Sequence, residues 1–158
     1  MGGDDIMTKQ QEVRSDIKKA FSGDEMAKRV LLVMNRKILS DSLITQTVSD
    51  NRFELTSVHN YAIASLTAEA NASDIAVIEI PESGSWKSAE KCLAICDEIR
   101  ERLPSCKQVI LCNEDDTDSC YAAIQAKQAS RIDDFLFYDN SIHYLFAKLE
   151  ALTERKED

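Results

Sequence analysis

The chain has 158 residues, 44% apolar and 30% charged, with only four Gly and two Pro, the composition of one globular domain with a short extension. Its formal charge of −9 argues against a nucleic-acid-binding module, which needs clustered Lys and Arg, and against docking on an anionic membrane surface. No apolar run approaches the roughly 18 residues of a membrane-spanning helix, and Met1-Gly2-Gly3-Asp4-Asp5 lacks the basic and apolar regions of a signal peptide, so a cytoplasmic protein is expected.

Residues 1–27 are expected to form an extension carrying a helix over 7–22. Thr8 and Gln11 there suit a capping box, and Val13, Ile17, Ala20 and Phe21 mark a thin apolar stripe. That stripe is too narrow for a core of its own. It would pack on the domain, pair with a second copy of itself, or stay a solvated arm. The domain itself is expected over 28–158.

Within it, β-rich runs alternate with helical patterns. Residues 29–34 are a nearly continuous apolar run, as in a parallel strand buried on both faces. A helix over about 37–48 places Leu39, Leu43 and Ile44 on one side. Residues 53–58 partly alternate and suit an edge strand, and 61–70 are helical. A third strand over 74–80 ends at Pro81 and the loop Glu82-Ser83-Gly84-Ser85. The next helix, about 88–103, turns Cys92, Ile95, Cys96, Ile99 and Leu103 inward and is stopped by Pro104. Strand four covers 108–112. The loop Glu114-Asp115-Asp116 suits solvent better than a metal, because adjacent acids do not converge on one ion. A helix over 118–129, a strand over 134–138 and a last helix over 141–155 follow. That last helix carries a stripe of Ile142, Leu145, Phe146, Leu149 and Leu152. The closing residues 154–158 suit a solvated end.

Five cysteines (Cys92, Cys96, Cys106, Cys112 and Cys120) show no CxxC, and His59 and His143 stand apart from them. Cys92 and Cys96, at i and i+4, could meet a metal or an oxidant, but small buried apolar residues are the expected role. No metal and no cofactor is expected.

Five successive strand–helix units predict an α/β fold: parallel strands joined by right-handed crossovers in a doubly wound, flavodoxin-like sheet of order 2-1-3-4-5. A closed barrel would need more units than the chain holds.

Three segments, in their order and spacing, carry a resemblance. They are Val30-Leu31-Leu32-Val33, then Asp74-Ile75-Ala76-Val77-Ile78 before a strand-end carboxylate and Pro81, then Asp133-Asp134-Phe135-Leu136. Over about residues 28–155 the chain resembles the receiver domains of two-component response regulators, the CheY-like superfamily. The resemblance implies a crevice beyond the carboxyl ends of strands one and three. There, two acids after strand one and an Asp ending strand three hold Mg²⁺, and that Asp accepts a phosphoryl group. A Thr or Ser ending strand four and a Lys ending strand five complete the clamp.

Carried onto this chain, those positions are altered. The acidic pair falls on Met34 and Asn35, with Arg36 adding a positive charge nearby. The acceptor falls on Glu79, the Thr or Ser on Asn113 (or Cys112 if strand four shifts by one), and the Lys on Tyr138. Asp139 stands where a Pro usually follows. One carboxylate does not hold Mg²⁺ as three do, and Glu exceeds Asp by one C–C bond, about 1.5 Å. A degenerate phospho-acceptor pocket of a pseudo-receiver is implied. Glu79 would either face water or reach toward Asn113 and Tyr138 as a fixed acceptor.

The resemblance further places an output face around strand five and the last helix, with Phe135 at the position of a switching aromatic. Phe135 and Phe146 suit core packing. Tyr138 and Tyr144 are better interface candidates, since their hydroxyls want water or a partner. Trp86, beside the pocket, either caps the core or marks a contact.

The expected function is a non-catalytic receiver-like signalling module that binds a protein partner, or a second copy of itself, independently of phosphorylation. One alternative is a phosphorylatable receiver with an atypical pocket. Another is a small-molecule-binding or enzymatic flavodoxin-like domain. Against the latter, the loop Met34-Asn35-Arg36 has no Gly to cradle a phosphate, and no nucleophile–base pair stands at a strand end. With no output domain after the last helix, a stand-alone adaptor or a piece of a larger protein is expected.

Overall fold

The computed structural model describes residues 27–138 and 142–154. Five strands, β1 (Lys28–Val33), β2 (Phe53–Val58), β3 (Ile75–Glu79), β4 (Lys107–Cys112) and β5 (Asp134–Phe137), form one parallel sheet of order β2-β1-β3-β4-β5. The order and direction are those expected from the sequence. The helices are α1 (Lys37–Thr47), α2 (Ala64–Ala70), α3 (Ala89–Arg102), α4 (Thr117–Gln128) and α5 (Ile142–Glu154). The helix expected over 7–22 lies outside the described residues, as does Asp139. No helix among the described residues is long and apolar enough to cross a membrane.

The unbroken apolar runs follow from covering both faces of the sheet. Alternate residues of a strand point to opposite faces, so β1 feeds two cores at once. Val30, Leu32 and Met34 join Leu43 of α1 and Leu145, Leu149 and Leu152 of α5 on one face. Leu31 and Val33 join Ala64 and Ala68 of α2, Cys92, Ile95, Cys96 and Ile99 of α3, and Ala123 and Ala126 of α4 on the other. Each fully buried Leu, Ile or Val contributes about 1.5–3 kcal/mol through burial. β2, at the edge, is buried only at its two ends, Phe53 in one core and Val58 in the other, with exposed or half-buried residues between.

Register brings strand ends together. Val33 pairs with Val58 on one side and Ile78 on the other, and Glu79 pairs with Leu111. The carboxyl ends of β1, β3 and β4 therefore lie side by side at one end of the sheet, where the resemblance places its crevice.

Local chemistry shifts some element starts. Asn60 Oδ1 accepts from the backbone N–H of Ala62 at 3.0 Å, so Tyr61–Ile63 is a 3₁₀ turn and α2 starts only at Ala64. Ser88 caps α3 by accepting from the Lys91 N–H at 3.1 Å, and Asp116 caps α4 through the Ser119 N–H, also at 3.1 Å. Arg36, at the start of α1, makes no such side-chain cap.

Candidate functional site

Glu79 ends β3, the central strand, with β1 and β4 on either side. Its side chain is only 1% exposed. A carboxylate taken out of water costs several kcal/mol unless its lone pairs are met. Here they are met: Oε1 accepts from the backbone N–H groups of Asn35 (2.7 Å) and Arg36 (3.2 Å). Oε2 accepts from Arg36 Nε (3.1 Å) and the Tyr138 hydroxyl (2.7 Å). A strand-end carboxylate facing water, one of the two expectations, is thus corrected. Donors from two neighbouring loops close over it.

Two of the four donors come from the start of α1, where helical geometry leaves N–H groups without intrahelical partners. Arg36 supplies no cap from its own side chain, and Glu79 does so from another strand. The helix dipole favours a negative charge at this end.

Arg36 and Tyr138 are also held to each other. The guanidinium lies over the Tyr138 ring, 4.2 Å from its centroid, a cation–π contact. Burial alone would weaken the hold of Arg36 on its proton, but the hydrogen bond and charge of Glu79 outweigh it, and the group is shifted upward. For Tyr138, burial and then the Glu79 bond push the phenol well above its ordinary range. Its hydroxyl therefore stays a donor, within 3.0 Å of the Ile80 carbonyl as well.

A second tier fixes the strand ends. The Tyr61 hydroxyl donates to the Glu79 carbonyl (2.6 Å) and lies 3.3 Å from that of Val33, tying β3 to β1. Trp86 stacks on Tyr61 with centroids 5.6 Å apart and packs on the three-helix core. His59 Nδ1 lies 2.8 Å from the Met34 carbonyl, which can only accept.

The remaining predicted residues divide. Met34 is buried in the two-helix core, and Asn35 contributes its backbone to Glu79. Asn113 does not reach Glu79, a correction. Its Nδ2 donates to Glu82 Oε1 at 2.6 Å and its Oδ1 accepts from the Asp115 N–H at 2.9 Å. These two partners hold the amide between the loops that follow β3 and β4. The Tyr138 hydroxyl donates inside the domain, to Glu79. Tyr144 is 43% exposed. Phe135 packs edge-on to Phe137, and Phe146 stacks on Phe53.

Tyr61 and Glu82 are site residues that the sequence did not assign, and Arg36, expected only as a nearby positive charge, bonds Glu79 directly. For Arg36 the available signal was a cation one residue ahead of a helix lacking its own cap.

A divalent cation fits this crevice poorly. Met34 is in the core, Asn35 is neutral, and each oxygen of Glu79 already accepts from two donors. Hard cations need several oxygen ligands. Among the described residues no cluster of three His, Cys, Asp or Glu is placed to hold a metal.

Neither a family model nor a curated protein sequence matches the chain. Solved structures do. A response regulator from Thermotoga maritima is 17% identical, with a TM-score of 0.63 over 80% of this chain and 98% of that one. A CheY-like response regulator receiver domain protein from Methanospirillum hungatei is 16% identical, with a TM-score of 0.62 over 83% of this chain and 98% of that one. NtrX from Brucella abortus, 22% identical with a TM-score of 0.66, covers 84% of this chain but only 28% of its own length is matched. At these identities the likeness establishes the receiver fold.

Proposed function

We propose that the chain is a degenerate receiver, a non-catalytic signalling module that engages a protein partner without needing phosphorylation. The observation that carries this reading is the saturation of Glu79. The carboxylate stands where receivers carry their phospho-accepting Asp, and its oxygens already hold four donors from Asn35, Arg36 and Tyr138. A receiver gains negative charge in this crevice by phosphorylation. Here Glu79 supplies a fixed negative charge, and Arg36 with Tyr138 takes the part of the cationic clamp.

Phosphoryl transfer needs the transferred charge to be neutralised and the acceptor free to attack. Met34, Asn35, Glu79, Asn113 and Tyr138 offer no spare carboxylate for Mg²⁺, and the oxygens of Glu79 are engaged. The module acts by contact, its partner being another signalling protein or a second copy of the chain. Tyr144, exposed in the first turn of α5, is a suitable contact because its ring binds apolar surface while its hydroxyl tolerates water.

The test is chemical. The protein is incubated with Mg²⁺ and phosphoramidate, and its intact mass is measured. No phosphoryl adduct is expected. A stoichiometric adduct on Glu79 would establish instead a phosphorylatable receiver with an atypical pocket.

A further inference from the structure

Alternation along β4 turns Ile110 and Cys112 toward the three-helix face. Three residues of loop and the Asp116 cap then start α4, whose first turns bring Cys120 back over the end of β4. The two sulfurs lie 4.0 Å apart. A disulfide needs about 2.0 Å, so closure requires the two sulfurs to approach each other by about half their present separation.

The two thiols are unequal. Cys120 is half-buried and donates to the Asn113 carbonyl at 3.3 Å. Cys112 is fully buried, and burial pushes its thiol up to about 12. Cys92 and Cys96, the pair at helical spacing, are both buried against the sheet and serve as core. An oxidant therefore meets Cys120 first.

We propose that Cys112 and Cys120 are a peroxide-sensitive thiol pair that closes to an intramolecular disulfide. The Cys120 sulfur attacks one oxygen of hydrogen peroxide. The O–O bond breaks, leaving a sulfenic acid on Cys120 and one water. The Cys112 sulfur then attacks the Cys120 sulfur. The S–S bond forms, the S–O bond breaks, and the hydroxyl leaves with the Cys112 proton as a second water. Two thiols are oxidised and the peroxide is reduced to two waters.

Closure would take Cys120 from its bond to the Asn113 carbonyl. Asn113 also bonds Glu82 of the loop after β3, so closure would bear on that loop as well. The chemistry does not depend on the signalling role.

Trypsin releases both cysteines on one peptide, residues 108–127. The full chain is treated with peroxide, thiols are blocked in denaturant, and that peptide is mapped without reduction. It should be lighter by two hydrogens and carry no blocking group, and dithiothreitol should reverse this. Titratable thiols should fall from the five of the untreated chain to three. Cys120→Ser, checked for folding by its melting curve, should abolish the change. Five remaining thiols, a link to another cysteine, or a sulfinic acid on Cys120 with Cys112 still free would overturn the proposal.

Discussion

Glu79→Ala is expected to lower the unfolding free energy by about 3 kcal/mol, read as a fall in the urea midpoint at unchanged slope. The substitution removes the acceptor for two backbone N–H groups, one guanidinium N–H and one hydroxyl. Breaking a buried ion pair typically costs about 3–5 kcal/mol because a charge is left stranded. The lower end applies here, since the Arg36 side chain is 46% exposed and can turn to water. Tyr138 keeps the Ile80 carbonyl. Glu79→Gln should cost less, roughly 1–2 kcal/mol. Its amide oxygen still serves the start of α1, but its NH₂ group faces Arg36. Equal midpoints for all three proteins would show that the carboxylate does not hold the crevice.

Asp134→Ala is expected to cost about 2 kcal/mol at neutral pH, and that difference should shrink in acid. Asp134 opens β5 with a side chain 13% exposed. It accepts from Lys148 (2.7 Å), Lys127 (3.0 Å) and the Phe135 N–H (2.8 Å). It thereby ties α4 and α5 across the edge strand. Both lysines are partly exposed, which discounts the ion pairs. Burial draws the Asp134 carboxyl upward, but the bonds from Lys148, the Phe135 N–H and Lys127 together hold it below its ordinary value. A group lowered in the folded state stabilises fully above its unfolded value, about 3.9, and loses that contribution as pH falls through the folded value. Urea midpoints of the two proteins should therefore differ most near pH 7 and converge below about pH 4. A pH-independent gap would contradict the assignment.

The sheet was legible because both of its faces are covered. Short continuous apolar runs such as Val30-Leu31-Leu32-Val33 suit strands buried on both faces, and Pro81 and Pro104 mark where a strand and a helix end. The turn at Tyr61 was not legible, because the local Asn60 bond overrides a helical pattern.

At the site, the positions of Glu79 and Tyr138 at strand ends could be read from register, and the structure joins them at 2.7 Å. The part of Arg36 could not. Its partner is 43 residues away, and a long side chain at the start of a helix leaves no periodic trace of where it points. The N–H donors of Asn35 and Arg36 were invisible for a different reason, since any residue but proline carries one. Asn113 was misassigned because Glu82, in an irregular loop, competes for its amide.

The most direct test is a titration with beryllofluoride and Mg²⁺, followed by the thermal midpoint and the fluorescence of Trp86. A ligand at one hundred times its Kd would stabilise the folded state by about 2.7 kcal/mol, several degrees in Tm for a domain of this size. With Glu79 already saturated and Met34 and Asn35 in place of an acidic pair after β1, neither signal should move. A saturable rise in Tm that requires Mg²⁺ would mean that the crevice still accepts a phosphoryl group.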